Sequence, residues 1–73
     1  MIGNEMVARQ ISDLMVEFGG RLDASVALVR DHGTPEELQI YRRAVGKVMA
    51  DMLLEIMNPL YAKHPKLKPA GLK

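Results

Sequence analysis

Residues 30–38, RDHGTPEEL, carry the signals that end one helix and begin another within a few residues. Gly33 suits the left-handed position that follows a helix, and Thr34 is a preferred N-cap residue. Pro35 fits the first helical position, and Glu37 completes the Thr-x-x-Glu spacing of a capping box. The stretch therefore predicts an all-α chain built on an antiparallel two-helix hairpin, with helices at about residues 4–31 and 35–57.

Apolar residues after the turn recur at spacings of three and four, as one face of a helix requires. Asn58-Pro59 then predicts an interruption, because the residue before a proline avoids the helical conformation and proline lacks an amide donor. Asn58 can cap a short helical turn that begins at Pro59. The remaining segment, HPKLKPAGLK, is expected to be extended or irregular. Together with the short helical turn it forms a basic Pro/Lys tail over residues 59–73.

Gly19-Gly20, in the middle of the run VEFGGRLDAS, could either end one helix or lie inside a longer one. Counted at about 100° per residue, the apolar stripe keeps its direction through the two glycines. One continuous helix that starts near Asn4 is therefore favoured. The alternative places Gly19 after the end of one helix and Asp23 at the N-cap of another, since two glycines cost about 2 kcal/mol in a helix interior.

In an antiparallel hairpin that turns near residue 33, residues whose numbers sum to about 66 should face each other. This register pairs apolar residues with apolar residues along the helices. It also places Gly19 and Gly20 opposite Gly46, the only glycine between residues 35 and 57. We therefore predict a close contact between helices at Gly19 and Gly46, either within one hairpin or between two subunits.

The polar residue Arg42 falls inside the apolar arc of the second helix, and the same register places it near Asp23. The pattern predicts a buried or half-buried ion pair that fixes the register. The alternative is an arginine that binds an anion.

A chain of 73 residues forms a single domain, 1–73, and buries so small a share of its surface that a monomer would be only marginally stable. It contains no cysteine, so disulfides are excluded and oligomerisation is the remaining means of stabilisation. The apolar arc of the second helix covers about half its circumference, more than one partner helix can cover. We therefore predict a homodimer that forms a four-helix bundle. The expected core and dimer interface comprises Ile11, Leu14, Phe18, Val45, Met49, Met52, Leu53, Ile56, Met57 and Leu60.

Methionines are prominent in this arc, at Met49, Met52 and Met57, with Met15 on the first helix. Core packing between dimerising helices is the favoured explanation of this stripe. The alternative is an adaptable peptide-binding groove, because methionine accommodates varied partners. Val16, Ile40 and Leu54 lie outside the main stripes and are candidates for further contacts.

The sequence offers little for catalysis and predicts neither a cofactor nor a metal site. Phosphate-binding, dinucleotide-binding and nucleophile motifs are absent, and the two histidines stand far apart. The formal net charge is +1, but residues 59–73 carry lysines and no acid. Contacts with an anion or nucleic acid are therefore conceivable at Arg43, Lys47, Lys63, Lys66 and Lys68.

The leading functional hypothesis is a small non-catalytic adaptor that acts through protein–protein contacts as a homodimer. One alternative is a regulator that contacts nucleic acid, although Glu36 and Glu37 would point acidic charge at phosphates. A second alternative is an accessory subunit of an enzyme. No apolar run approaches the roughly 18 residues that span a membrane, and no signal peptide is recognisable at residues 1–10, so a cytoplasmic protein is expected.

Overall fold

A computed structural model of the chain describes residues 1–69, which are helical over most of their length and contain no strand. Helix α1 spans Glu5–His32 and helix α2 spans Pro35–Met52. A π-helical turn follows at Leu53–Met57, then helix α3 at Asn58–Lys63 and a 3-10 turn at Pro65–Leu67. The predicted all-α hairpin is confirmed. We call α2, the π-turn and α3 together the second arm.

The turn between α1 and α2 is held by the predicted capping box. The Glu37 amide donates to Thr34 Oγ1 at 3.2 Å, and the Thr34 amide donates to Glu37 Oε1 at 2.7 Å. Gly33, however, is extended with φ −103°, so the expected left-handed conformation is wrong. The glycine is needed for space instead, because a Cβ atom there would lie 2.8 Å from the Val29 carbonyl oxygen.

Helix α1 runs without a break through Gly19 and Gly20, as the continuous apolar stripe predicted. It begins at an N-cap formed by Asn4, whose side-chain oxygen accepts a hydrogen bond from the Val7 amide at 3.1 Å. Arg30 and His32 lie in its last turn, where positive charge is favourable to the helix dipole. The alternative of two helices separated at the glycines is excluded.

The short helix predicted to follow Asn58-Pro59 is present as α3, with Pro59 in its first turn. The predicted break before it is wrong, because the chain stays helical through Asn58-Pro59. Asn58 is helical, with φ −60° and ψ −49°, and its side chain caps nothing. Its amide donates to the Leu53 carbonyl five residues back, which is the hydrogen bond of a π-turn. A proline ring collides with the carbonyl four residues earlier in a regular α-helix. The wider turn before Pro59 relieves that collision, and the helix continues in α3.

The best-buried part of the molecule lies at the open end of the hairpin. Ala8 on α1 packs against Leu60 and Tyr61 on α3, and all three are buried. The partly buried residues Ile2, Ile11, Met57 and Leu67 surround them. The N-terminal segment is also tied to this end, where His64 Nε2 lies 2.6 Å from the Ile2 carbonyl oxygen.

Two serine–tyrosine hydrogen bonds join α1 to the second arm. Ser25 Oγ and the Tyr41 hydroxyl lie 2.7 Å apart, and their numbers fit the predicted register near the turn. Ser12 Oγ and the Tyr61 hydroxyl lie 2.6 Å apart at the open end, where the register has changed. Ser12 and Ser25 are 13 residues apart, whereas Tyr41 and Tyr61 are 20 apart. The two arms therefore do not keep a single register along the whole hairpin.

The predicted glycine contact between helices is wrong within one chain. A Cβ atom added at Gly46 would meet nothing within 4 Å, and one added at Gly19 would meet only the terminal methyl of Met49, at 3.9 Å. Gly46 is exposed, so it does not lie against the backbone of α1. The register rule placed the two residues at the same height along the hairpin, but height alone does not determine which side of a helix a residue occupies.

The predicted ion pair between Arg42 and Asp23 is also wrong. Both residues are exposed, and the only salt bridge within residues 1–69 joins Arg30 and Asp31, neighbours in sequence. Water solvates both charges, so burying them in a pair would sacrifice hydration for little gain.

The described hairpin is one layer of helices with no second layer to cover it. The chain measures 44 × 19 × 16 Å, and its radius of gyration is 14.4 Å. A compact domain of this length would have a radius of gyration of about 11 Å. The accessible surface is 5485 Å², whereas a compact monomer of this mass exposes about 4500 Å². A stable domain normally packs at least two layers around its core, and this chain supplies only one.

Candidate interaction surfaces

One side of the hairpin carries large apolar side chains that the chain itself covers only in part. Val7, Leu14 and Phe18 follow one another on α1 at spacings of seven and four, and so share a side of that helix. Val48, on α2, lies seven residues after Tyr41, which shares a shallow hollow with Phe18. We call these four apolar residues, Val7, Leu14, Phe18 and Val48, the front face. Each is between 44% and 48% exposed.

The other side of the hairpin contains an apolar groove of about 320 Å³ between α1 and the second arm. Gly19, Gly20 and Ala50 leave space in it because they have little or no side chain. We call it the glycine groove. Its lining residues are Met15, Val16, Gly19, Gly20, Met49, Ala50, Met52, Leu53 and Met57.

The front face and the glycine groove lie on opposite sides of the hairpin. Phe18 and Gly20 are two residues apart on α1, which is about 200° around the helix. The two surfaces also differ in polarity. The hollow beside Phe18, of about 250 Å³, includes the charged side chain of Arg21 and the hydroxyls of Ser25 and Tyr41. No residue that lines the glycine groove has a charged or hydrogen-bonding side chain.

The residues predicted for the core and interface fall into three groups of burial. Val45 and Leu60 are buried in the single chain, whereas Leu14 and Phe18 are exposed. Between these limits, the rest are half-buried: Ile11, Met49, Met52, Leu53, Ile56 and Met57. Half-buried apolar side chains are what a helix pair presents when further helices pack on it.

The basic residues considered for nucleic-acid contact do not form one patch. Arg43 and Lys47 are exposed on α2 beside Ile40 and Ala44. Lys63, at the end of α3, and Lys66 and Lys68, which follow it, are exposed at the open end of the hairpin. Twenty helical residues separate Arg43 from Lys63, a distance of about 30 Å at 1.5 Å per residue. Two small basic groups are therefore present in place of a continuous basic surface.

The structure brings together polar pairs that the sequence reasoning did not find. Ser25 donates to the Leu22 carbonyl at 2.6 Å, so its hydroxyl hydrogen is used and it accepts from Tyr41. The Ser12–Tyr61 pair is buried, and no buried side-chain polar atom in the described residues lacks a partner. In the sequence, these hydrogen bonds are indicated by a serine within an apolar stripe of one helix and a tyrosine on the facing helix.

Within residues 1–69, no three histidine, aspartate or glutamate side chains converge closely enough to hold a metal ion. None of the helices there combines the length and apolar character needed to cross a membrane.

Comparison of the chain with protein-family models, with curated proteins and with solved structures gives no match.

Proposed function

We propose that this protein is a small non-catalytic interaction protein that works as a homodimer, in which two hairpins form a four-helix bundle. The observation that carries the proposal is the apolar surface left open on both sides of a single helical layer. Phe18, at 46% exposed, Val16, at 51%, and Leu54, at 61%, are examples on α1 and the second arm. Apolar surface on this scale usually marks an interface.

The amount of uncovered surface suits a second copy of the same hairpin. The chain exposes 5485 Å², about 1000 Å² more than a compact monomer of its mass. A specific interface of standard size removes about 800 Å² from each partner. A two-fold dimer would therefore cover roughly the excess, and it would supply the missing second layer.

The chemistry of the glycine groove and of the hollow beside Phe18 supports an interaction role for these two surfaces over a catalytic one. General acid–base catalysis needs a titratable group within hydrogen-bonding reach of the substrate. The glycine groove offers only apolar side chains and backbone. The hollow beside Phe18 offers two hydroxyls that are already bonded to each other and one arginine.

Thermal unfolding at several protein concentrations tests the proposal. If two chains fold as one unit, the melting temperature rises with concentration by mass action. Circular dichroism at 222 nm between 1 and 200 μM should therefore show a steady increase in melting temperature. A melting temperature that does not depend on concentration would contradict the dimer, and would favour an accessory subunit that needs a different partner.

Nucleic-acid binding remains the alternative function, and it predicts a different result. Fluorescence anisotropy with labelled duplex DNA and single-stranded RNA should show no salt-sensitive binding at micromolar protein if the interaction role is right. Binding that weakens with salt would support the alternative, provided the triple change Lys63→Ala, Lys66→Ala and Lys68→Ala abolishes it. The matched control changes the same three lysines to arginine, which preserves the charge.

A further inference from the structure

We propose that the second copy docks across the glycine groove, so that the two hairpins meet on that side and leave the front face outside the contact. This inference rests on the proposed homodimer and specifies which of the two apolar surfaces forms it. The occupant is a second copy of this chain because the uncovered surface matches what a dimer of hairpins removes, as argued above.

Polarity selects the groove over the front face. The centre of a protein interface is depleted of charge, because a charged group that loses its water must be paired. Covering the hollow beside Phe18 would desolvate Arg21, and no acidic side chain pairs with that arginine among the described residues. None of the residues that line the glycine groove carries a charged side chain.

The groove also carries a projection and a recess side by side on α1. Val16 is 51% exposed and stands at the edge of the groove. Gly20 follows one helical turn later, and the space where its side chain would point is open. A two-fold interface requires a patch that is complementary to itself, so that a projection on each copy meets a recess on the other. In this arrangement, Val16 of each copy sits over Gly19 and Gly20 of its partner.

The glycines have no evident use inside a single hairpin. A Cβ atom added at Gly20 would meet nothing within 4 Å, and one added at Gly19 would meet only the flexible end of Met49. Glycine is unfavourable in a helix interior because it leaves the unfolded chain more freedom. A close approach by another helix is the use that requires both positions to lack a side chain.

The first test fills the recess without harming the hairpin. Gly20→Leu adds a side chain where the single chain has open space, and leucine forms helix better than glycine. We expect the dimer dissociation constant, from sedimentation equilibrium, to rise at least tenfold while the helical circular dichroism is retained. Ala44→Leu is the matched control, since Ala44 is exposed on α2 and lies nine residues, or about 180°, from Leu53. Its dissociation constant should stay within twofold of the native value.

The second test uses the absence of cysteine from the native chain. Val16→Cys and Gly20→Cys chains, mixed and oxidised, should form a disulfide-linked heterodimer, whereas Phe18→Cys chains should not link under the same conditions. Linking through Phe18→Cys with none in the mixture would overturn the inference, because the copies would then meet on the front face and the homodimer would stand. An equal weakening by Gly20→Leu and Ala44→Leu would also overturn it. A native chain that stays monomeric in sedimentation would overturn both the inference and the proposed homodimer.

Discussion

Gly33 and Gly46 occupy different environments, and each environment predicts its own response to substitution. Gly33 is confined, because a Cβ atom there would lie 2.8 Å from the Val29 carbonyl oxygen and 3.1 Å from Glu37 Oε1. Gly46 is in a helix with open space around it. The sequence does not show the clearance at either position, because clearance depends on which atoms the fold brings near.

Gly33→Ala and Gly46→Ala should therefore change stability in opposite directions. The first should lower the free energy of unfolding by about 1–3 kcal/mol, the usual effect of forcing an extra group into a packed site. The second should raise it by about 0.5–1 kcal/mol, because alanine is the better residue in an exposed helix. Urea unfolding of both variants measures the difference. Equal effects of the same sign would contradict the packing seen at the turn.

Tyr61→Phe should destabilise the chain more than Tyr41→Phe, although both remove one hydroxyl. The Ser12 hydroxyl is buried, at 4% exposed, and would be left without its partner. An unsatisfied buried polar group costs about 1–3 kcal/mol. Ser25 is half-buried and would keep its hydrogen bond to the Leu22 carbonyl, so the loss there should stay below about 1 kcal/mol.

Urea unfolding measures the loss of unfolding free energy in each tyrosine variant. A double variant then tests whether the larger loss comes from the buried hydrogen bond. Ser12→Ala combined with Tyr61→Phe removes both polar groups, and should be less destabilising than the sum of the two single changes. Additive effects would show that the Ser12–Tyr61 hydrogen bond contributes little.

Among the elements, the turn was the most predictable because its signals are local. The capping box depends on residues 34–37 alone, and the structure contains both of its hydrogen bonds. Continuity of α1 was also predictable, because the apolar stripe crosses Gly19-Gly20 in phase. The path of the chain through Asn58-Pro59 could not be predicted from the sequence. Proline reports that a regular α-helix is disfavoured, but whether the chain ends or widens into a π-turn depends on the packing of Leu60 and Tyr61.

Thr34→Ala should lower the free energy of unfolding by about 1 kcal/mol, because the first turn of α2 loses its side-chain cap. For a chain of this size, that loss corresponds to about 4–8 °C in melting temperature. Glu36→Gln is the matched control, since Glu36 lies in the same turn but outside the capping box. Thr34→Ser should retain most of the stability, and a loss as large as that of Thr34→Ala would contradict the capping role.

The arrangement of the surfaces depends on which side of each helix faces inward. The register rule predicts only which residues lie at the same height along the hairpin. The rule gave the right partner for Ser25 near the turn. It did not give the side of each helix that faces inward, so the predicted contacts of Gly46 and of Arg42 with Asp23 do not form. The methionine stripe was found, and its four members line the glycine groove. The contribution of Ala50 to that groove was missed, because a small residue leaves no mark in an apolar pattern.

At the scale of the whole molecule, the single layer of helices connects the fold with the proposed function. The chain is a single layer, 44 Å long and 16–19 Å across, with apolar side chains on both sides. Its small buried cluster lies at one end, around Leu60. A chain of this length has little stability to spare. Pairing with a second copy would stabilise the fold through the same interface that carries the function, because the surface that binds the partner would also complete the hydrophobic core.

Sedimentation equilibrium of the native chain at micromolar concentrations tests this central claim most directly. If two hairpins fold as one unit, the native chain should sediment as a species of twice the 8.1 kDa chain mass, which dissociates only on dilution. A single species of 8.1 kDa at every concentration up to 200 μM, with the helical content intact, would contradict it.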